Sequence, residues 1–157
     1  MQKIIPSLWF DGNAEEAMNF YVSIFKNSKV LNVSRFNEAG PGSAGTVMAV
    51  SFELDGQQFM GINGGPEFPF SEAVSFYVDC ETQQEVDELW EKLTAGGEES
   101  QCGWLKDKYG LSWQIIPKIL IEMLGDRDPE KAKRVNQAML QMRKIDIKTL
   151  QRAYEQA

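Results

Sequence analysis

Apolar and polar positions along this chain follow two rhythms, one of period two and one near 3.6, and they alternate in blocks. Residues 3–10 (KIIPSLWF) read as a strand that runs into DGNAEEAMNFYVSIF, where Ala14, Ala17, Met18, Tyr21, Ile24 and Phe25 recur at helical spacing. Asn13 is placed to cap that helix and Glu16, at its third position, to reach back to the cap. A strand over about 30–36 follows, then the Gly/Pro-rich loop EAGPGSAG. Residues 46–54 and 57–63 flank Asp55-Gly56, the two-residue chemistry of a tight antiparallel hairpin. The first module therefore reads strand, helix, strand, strand, strand.

Beyond the linker NGGPEFPFS the order recurs. Residues 73–79 (AVSFYVD) form a strand, Thr82 and Glu85 make a second capping box, and Val86, Leu89, Trp90 and Leu93 mark a buried helical stripe. Gly96-Gly97 ends that helix, and segments near 98–103, 104–107 and 112–116 supply three short strands. The last forty or so residues change to a helical rhythm. A short helix is expected over 118–124, and another is capped by Asp128 with Pro129 at its first position and Ala132, Val135, Ala138, Met139 and Met142 on its apolar face. A final helix follows Asp146, with Ile147, Leu150 and Tyr154 as its stripe. These helices cover either the module core or a neighbouring subunit. The pattern predicts an α+β fold of two tandem βαβββ modules with C-terminal helices. We expect a single domain over 1–157, with module one at about 1–65, module two at about 72–117 and a helical extension over 118–157.

Composition narrows the chemistry. The chain has 157 residues, 43% of them hydrophobic and 25% charged, as in ordinary globular domains. A formal charge of −7 offers no basic stripe for phosphates, which argues against nucleic acid as a partner. No apolar run approaches the roughly 20 residues of a membrane span, and the N-terminal stretch does not read as a signal peptide. Two cysteines, Cys80 and Cys102, are too few for a disulfide framework and too far apart for a CxxC motif, so a cytoplasmic location with reduced thiols is expected. Histidine is absent altogether, which removes Ser-His-Asp and Cys-His machinery and imidazole-based zinc sites. Without a histidine base, Cys102 reads as an inert thiol. Asp107 ahead of Gly110 reads as turn chemistry, and Glu15-Glu16 as helix-start charge.

The runs LWFDGNAEEAMNFY, FELDGQQFMGINGGPEFPFSEAVSFYVDC and CGWLKDKYGLSWQIIP, with DPEKAKRVNQAMLQMRKIDIKTL behind them, resemble the PhnB-like family. That family also carries the name 3-demethylubiquinone-9 3-methyltransferase and belongs to the vicinal-oxygen-chelate superfamily of glyoxalases, bleomycin-resistance proteins and dioxygenases. The resemblance implies two βαβββ modules whose sheets curl around a cavity, within a homodimer. In metal-dependent relatives four strand positions supply ligands, and by alignment these fall at Pro6, Gly61, Ala73 and Gln114. Only Gln114 has a coordinating atom, and a shift of one residue would bring in Ser7, Met60 or Ile62, Val74 and Trp113. No metal or other cofactor is therefore expected.

If Gly61 faces the cavity, strand alternation puts Phe59 opposite Phe52, Gly61 opposite Val50 and Asn63 opposite Met48 on that face, with Val47, Ala49, Met60 and Ile62 toward the helix. In module two the same logic turns Ser75, Tyr77 and Gln114 inward and Val74, Phe76 and Val78 onto the second helix. The candidate ligand-binding residues are Phe52, Phe59, Asn63, Ser75, Tyr77 and Gln114. Each has a plainer role available: the phenylalanines as core filling, Gln114 satisfying buried backbone, Ser75 and Tyr77 bonding to each other or the sheet. The expected function is metal-free binding of a small apolar or aromatic molecule in the inter-module cavity. The alternative is an enzyme of the superfamily, a metal-dependent isomerase, lyase or dioxygenase, or a methyltransferase as the family name says. Against methyl transfer, the glycine clusters at 40–45, 64–65 and 96–97 lie between strands or after a helix, not on the strand-to-helix turn that cradles a nucleotide cofactor.

Overall fold

The period-two segments become two four-stranded sheets in the computed structural model, which describes residues 2–156 and divides between Pro69 and Phe70 into two units. The first unit runs β1 (Ser7–Phe10), α1 (Ala14–Ile24), β2 (Lys29–Arg35), β3 (Val47–Leu54) and β4 (Gln57–Asn63). Its sheet has the order β1-β4-β3-β2, with β1 parallel to β4 and the other pairs antiparallel. The turn between β3 and β4 holds Asp55 at φ 48° and Gly56 at φ 80°, the pair of left-handed residues that a two-residue hairpin with the native strand twist requires. On one face Leu8, Phe10, Val50, Phe52, Leu54 and Phe59 are buried, as are Ala14, Ala17, Met18 and Tyr21 of α1. The Tyr21 ring stacks on Phe52, and Phe52 on Phe59, with centroids 6.4 and 5.6 Å apart.

The start of α1 differs from the predicted capping box. Asn13 sits at φ −115°, ψ 25°, away from the extended backbone that turns a cap side chain onto the first turn, and it makes no side-chain cap bond. The Ala14 N–H instead donates to Asn63 Oδ1 at 2.9 Å, while Asn63 Nδ2 donates to the Val47 carbonyl at 3.1 Å. A residue fifty positions downstream thus does the work expected of a local cap.

The second unit repeats the order as β5 (Ser75–Cys80), α2 (Gln83–Thr94), β6 (Glu98–Glu99), β7 (Trp104–Lys106) and β8 (Ser112–Pro117), with sheet order β5-β8-β7-β6 and β5 parallel to β8. Here the box forms: Thr82 Oγ1 accepts from the Glu85 N–H, and the Glu85 carboxylate reaches back one residue beyond the cap, to the Glu81 N–H. The strand expected over 98–103 contracts to two residues, because Gln101–Gly103 turn back with Cys102 and Gly103 at φ 57° and 87°. Between β7 and β8 the buried Asp107 carboxylate accepts from the Tyr109 and Leu111 N–H groups and from the Trp113 indole, at 2.9, 3.1 and 2.9 Å.

Three further helices complete this unit: α3 (Lys118–Leu124), α4 (Pro129–Met139) and α5 (Ile147–Glu155). Asp128 and Asp146 cap the last two, accepting from the Glu130 and Lys148 N–H groups. Leu120, Met123, Val135, Met142, Ile145 and Leu150 pack with Ile116 of β8, so the helices extend the core of their own unit. The Cys102 and Gly103 N–H groups donate to the Met142 and Arg143 carbonyls, and the Gln83 amide bridges the Ile145 carbonyl and the Ile147 N–H. A Cβ on Gly103 would lie 2.6 Å from Ile116 Cδ1 and 3.0 Å from the Ile115 carbonyl, so only glycine fits this junction. Among the described residues no helix is long and apolar enough to cross a membrane.

Two predictions follow from this packing. Asp107→Ala strands one indole and two backbone donors in a buried turn and should cost about 3 kcal/mol of unfolding free energy; urea denaturation measures this, and a loss within about 0.5 kcal/mol would show that water replaces the carboxylate. Acid should loosen the C-terminal helices. The Asp87 carboxyl lies below its ordinary value because of bonds from Lys144 and Gln83, and that of Asp126 because of the Tyr154 hydroxyl. Groups depressed in the folded state stabilise it above their unfolded pKa near 3.9 and lose that contribution as pH falls through the lower folded value. Melting temperature recorded from about pH 5 to 2 should fall less in Asp87→Asn and Asp126→Asn than in the parent.

Candidate functional site

Side-chain alternation in the second sheet separates two chemistries. Trp113 and Ile115 of β8 are buried with Leu105 of β7 and share their face with Phe76 and Val78, the Phe76 ring meeting Trp113 edge-on at 5.5 Å. Ser112 and Gln114 point the other way, and register assigns their cross-strand neighbours. One row is Lys106, Ser112 and Ser75; the next is Trp104, Gln114 and Tyr77. The result is a polar strip bounded by an indole and a phenol on a face that α2 does not cover.

Within the strip Gln114 Nε2 donates to Ser75 Oγ at 2.9 Å, which fixes the amide and leaves its oxygen directed elsewhere. Tyr77 is 48% exposed. Partial burial, then the Asp79 carboxylate, raises its phenol above the ordinary value, so it remains a hydrogen-bond donor across the neutral range. Lys106 Nζ pairs with Glu72 at 2.7 Å at the margin. Beside this pair a cavity of about 170 Å³ is lined by Glu72, Glu98, Glu99, Trp104, Lys106 and Ser112, among others.

Of the six residues predicted to line a pocket, Ser75, Tyr77 and Gln114 are brought together on this strip. Phe52, Phe59 and Asn63 are not. The two rings lie in the stack under Tyr21 of α1, and Asn63 caps that helix, so the assignment of faces in the first sheet is reversed. The physical reason is Gly61: it sits on the helix side, where a Cβ would meet Val50 at 3.0 Å and Phe10 at 3.2 Å, and a glycine carries no hydrophobic signal to show which way a strand faces. Met60 accordingly turns to the other face and is exposed. Val74, expected against α2, lies before β5 and is 65% exposed. Sequence reasoning missed Ser112, Trp104 and Lys106. Ser112 was available by stepping two residues back from Gln114, whereas the other two needed the β7–β8 register.

The positions aligned with metal ligands do not fit a metal. Pro6 and Ala73 have no donor side chain, Gly61 points into the α1 interface, and the Gln114 amide is held by Ser75. Among the described residues no group of three His, Cys, Asp or Glu side chains is placed to hold a metal ion. The Cys80 thiol is buried, and burial, then Glu85, pushes its pKa up to about 12, which leaves it un-ionised. Cys102, expected to be inert, donates its backbone N–H to the Met142 carbonyl in the turn that joins β7 to the helices. In the first unit a wider groove of about 610 Å³ lies at the start of α1, lined by Asp11, Glu15, Glu16 and Asn63, among others.

The family profile described as 3-demethylubiquinone-9 3-methyltransferase matches residues 2–116, ending just before Pro117 and leaving α3, α4 and α5 beyond it. A PhnB protein from Bacillus cereus, whose description carries the same methyltransferase name, is 44% identical with a TM-score of 0.69 over 74% of this chain and 99% of its own. Protein PA1353 from Pseudomonas aeruginosa is 20% identical with a TM-score of 0.62 over 75% and 98% of the two chains, a likeness of fold. At 17% identity and a TM-score of 0.50, the fold is also shared by a variant of the fosfomycin resistance protein FosX from Listeria monocytogenes, solved with Mn(II) and dihydroxypropylphosphonic acid, over 71% of this chain and 88% of that one. No curated protein matches. The chain belongs to the PhnB-like family that bears the 3-demethylubiquinone-9 3-methyltransferase name.

Proposed function

We propose that this protein binds a small, partly aromatic organic molecule on the open face of its second sheet, without a metal. The observation that carries this reading is the middle row of the strip: an amide held in one orientation by Ser75, with Trp104 on one side and the exposed Tyr77 on the other. Rings provide flat apolar area and the amide provides direction, the combination that small-molecule sites use. A ligand of about ten heavy atoms at about 0.5 kcal/mol per atom would bind with about 5 kcal/mol, a Kd on the order of 0.2 mM. That range suits nuclear magnetic resonance titration.

With 2-phenylethanol as the probe, saturable amide shifts are expected at Ser75, Tyr77, Trp104 and Gln114. Gln114→Leu should weaken binding about fivefold, the worth of one net hydrogen bond. Because the Tyr77 phenol lies above its ordinary value near 10, affinity should stay level from about pH 6 to 9. The reading fails if neither this probe nor other neutral aromatics move these residues saturably, or if the shifts fall on Phe52 and Asn63 instead.

A further inference from the structure

The cavity beside the strip contains a group that the binding face does not use. Ser112 Oγ is fully buried and has no hydrogen-bond partner among the described residues. An unsatisfied buried hydroxyl costs about 1–3 kcal/mol, and such a group in a native structure calls for an explanation, a bound species being one. Ser112 is one of the residues lining the cavity of about 170 Å³, which holds roughly the liquid volume of five or six waters. There is room for a small substituent.

Charge decides which substituent. Three carboxylates line the cavity, those of Glu72, Glu98 and Glu99, against one lysine, Lys106. Glu72 is paired with that lysine at 2.7 Å, and Glu99 accepts from the Trp90 indole and lies 3.7 Å from Arg143. Glu98 sits across from Lys106 in the β6–β7 register and belongs to no ion pair among the described residues. The wall also contains Trp104, whose ring face attracts cations. Three carboxylates against one lysine leave the wall net acidic, so an entering carboxylate or phosphate would be opposed, whereas a protonated amine would meet an acceptor hydroxyl, the Glu98 carboxylate and an indole.

We propose that the cavity is an ammonium subsite, so that the ligand of the open face is an arylalkylamine: its ring lies along the Trp104–Gln114–Tyr77 row and its ammonium reaches the adjacent row, donating to Ser112 Oγ. Ser112 and Gln114 are successive same-face residues of β8, about 7 Å apart along the strand, a gap that a short alkyl linker spans. This assignment rests on the reading of the open face as a binding platform, and the test separates the two.

The experiment titrates the full chain with 2-phenylethylammonium and with 2-phenylethanol at pH 7 and moderate salt, following backbone amide shifts. We expect the ammonium to bind about tenfold tighter, with added shifts at Glu98 and Ser112. That advantage should shrink to about twofold or less in Ser112→Ala and in Glu98→Gln. The melting temperature of Ser112→Ala should hold or rise, because the change removes an unpartnered hydroxyl. Equal affinities for the two probes would overturn the subsite and leave the platform standing; failure of both to bind would remove both. An ammonium advantage that survives both substitutions would also overturn the subsite, since it would reflect the net charge of −7 and not this cavity.

Discussion

The Asp107 carboxylate is the contact on which the candidate site depends. It closes the turn between β7 and β8 by accepting two backbone N–H groups, and its second oxygen holds the Trp113 indole on the opposite face of β8. Register across a short hairpin is set by its turn, and a slip of one residue would exchange every side chain between faces. With the turn held, Lys106 stands across from Ser112 and Trp104 across from Gln114. A buried carboxyl group thus acts at a distance, through strand register, on a face that it does not itself enter. The cost of its burial is offset by those donors, the condition under which a polar group is tolerated inside a protein.

The two units use the same strand order for different ends. In the first, the apolar face is heavily aromatic, with Phe10, Phe52 and Phe59 packed in the layer of Tyr21, and its polar member, Asn63, is occupied in joining α1 to the hairpin. In the second, the α2 side takes Trp113, Ile115 and Leu105, and the other side keeps hydroxyls, an amide and an ion pair. Buried polar groups in native proteins are nearly always satisfied. Ser112 departs from that pattern, among the described residues, on a face where Gln114 donates to Ser75.

The C-terminal helices are tied in by backbone as well as by apolar packing. Cys102 and Gly103, both with positive φ, present their N–H groups to the segment before α5, and the lack of a side chain on Gly103 lets Ile116 close over the junction. Arg134 then caps the end of α5 through the Ala153 and Tyr154 carbonyls. Because the family profile ends at residue 116, these helices are an addition to the two-module pattern that shares a core with β8.

Most of the architecture was legible in the sequence because it rests on local rules. Helical spacing from Ala14 and from Val86, the Asp55-Gly56 turn and the caps at Thr82, Asp128 and Asp146 all depend on residues within a few positions of one another. That the polar half of the candidate set, Ser75, Tyr77 and Gln114, shares one face was legible for the same reason: alternation along a strand is local once one residue is placed. The aromatic half was misplaced because its face was inferred from Gly61, which has no side chain to bury, and the cap of α1 was misplaced because its acceptor comes from β4. Trp104, Lys106 and Ser112 came together on one face only when the β7–β8 register set them side by side. What the sequence by itself determined was which segments are strands and helices and which residue types could do chemistry. Which face each strand buries, and which polar group is left without a partner, was decided by tertiary structure, because those depend on contacts between residues far apart in the chain.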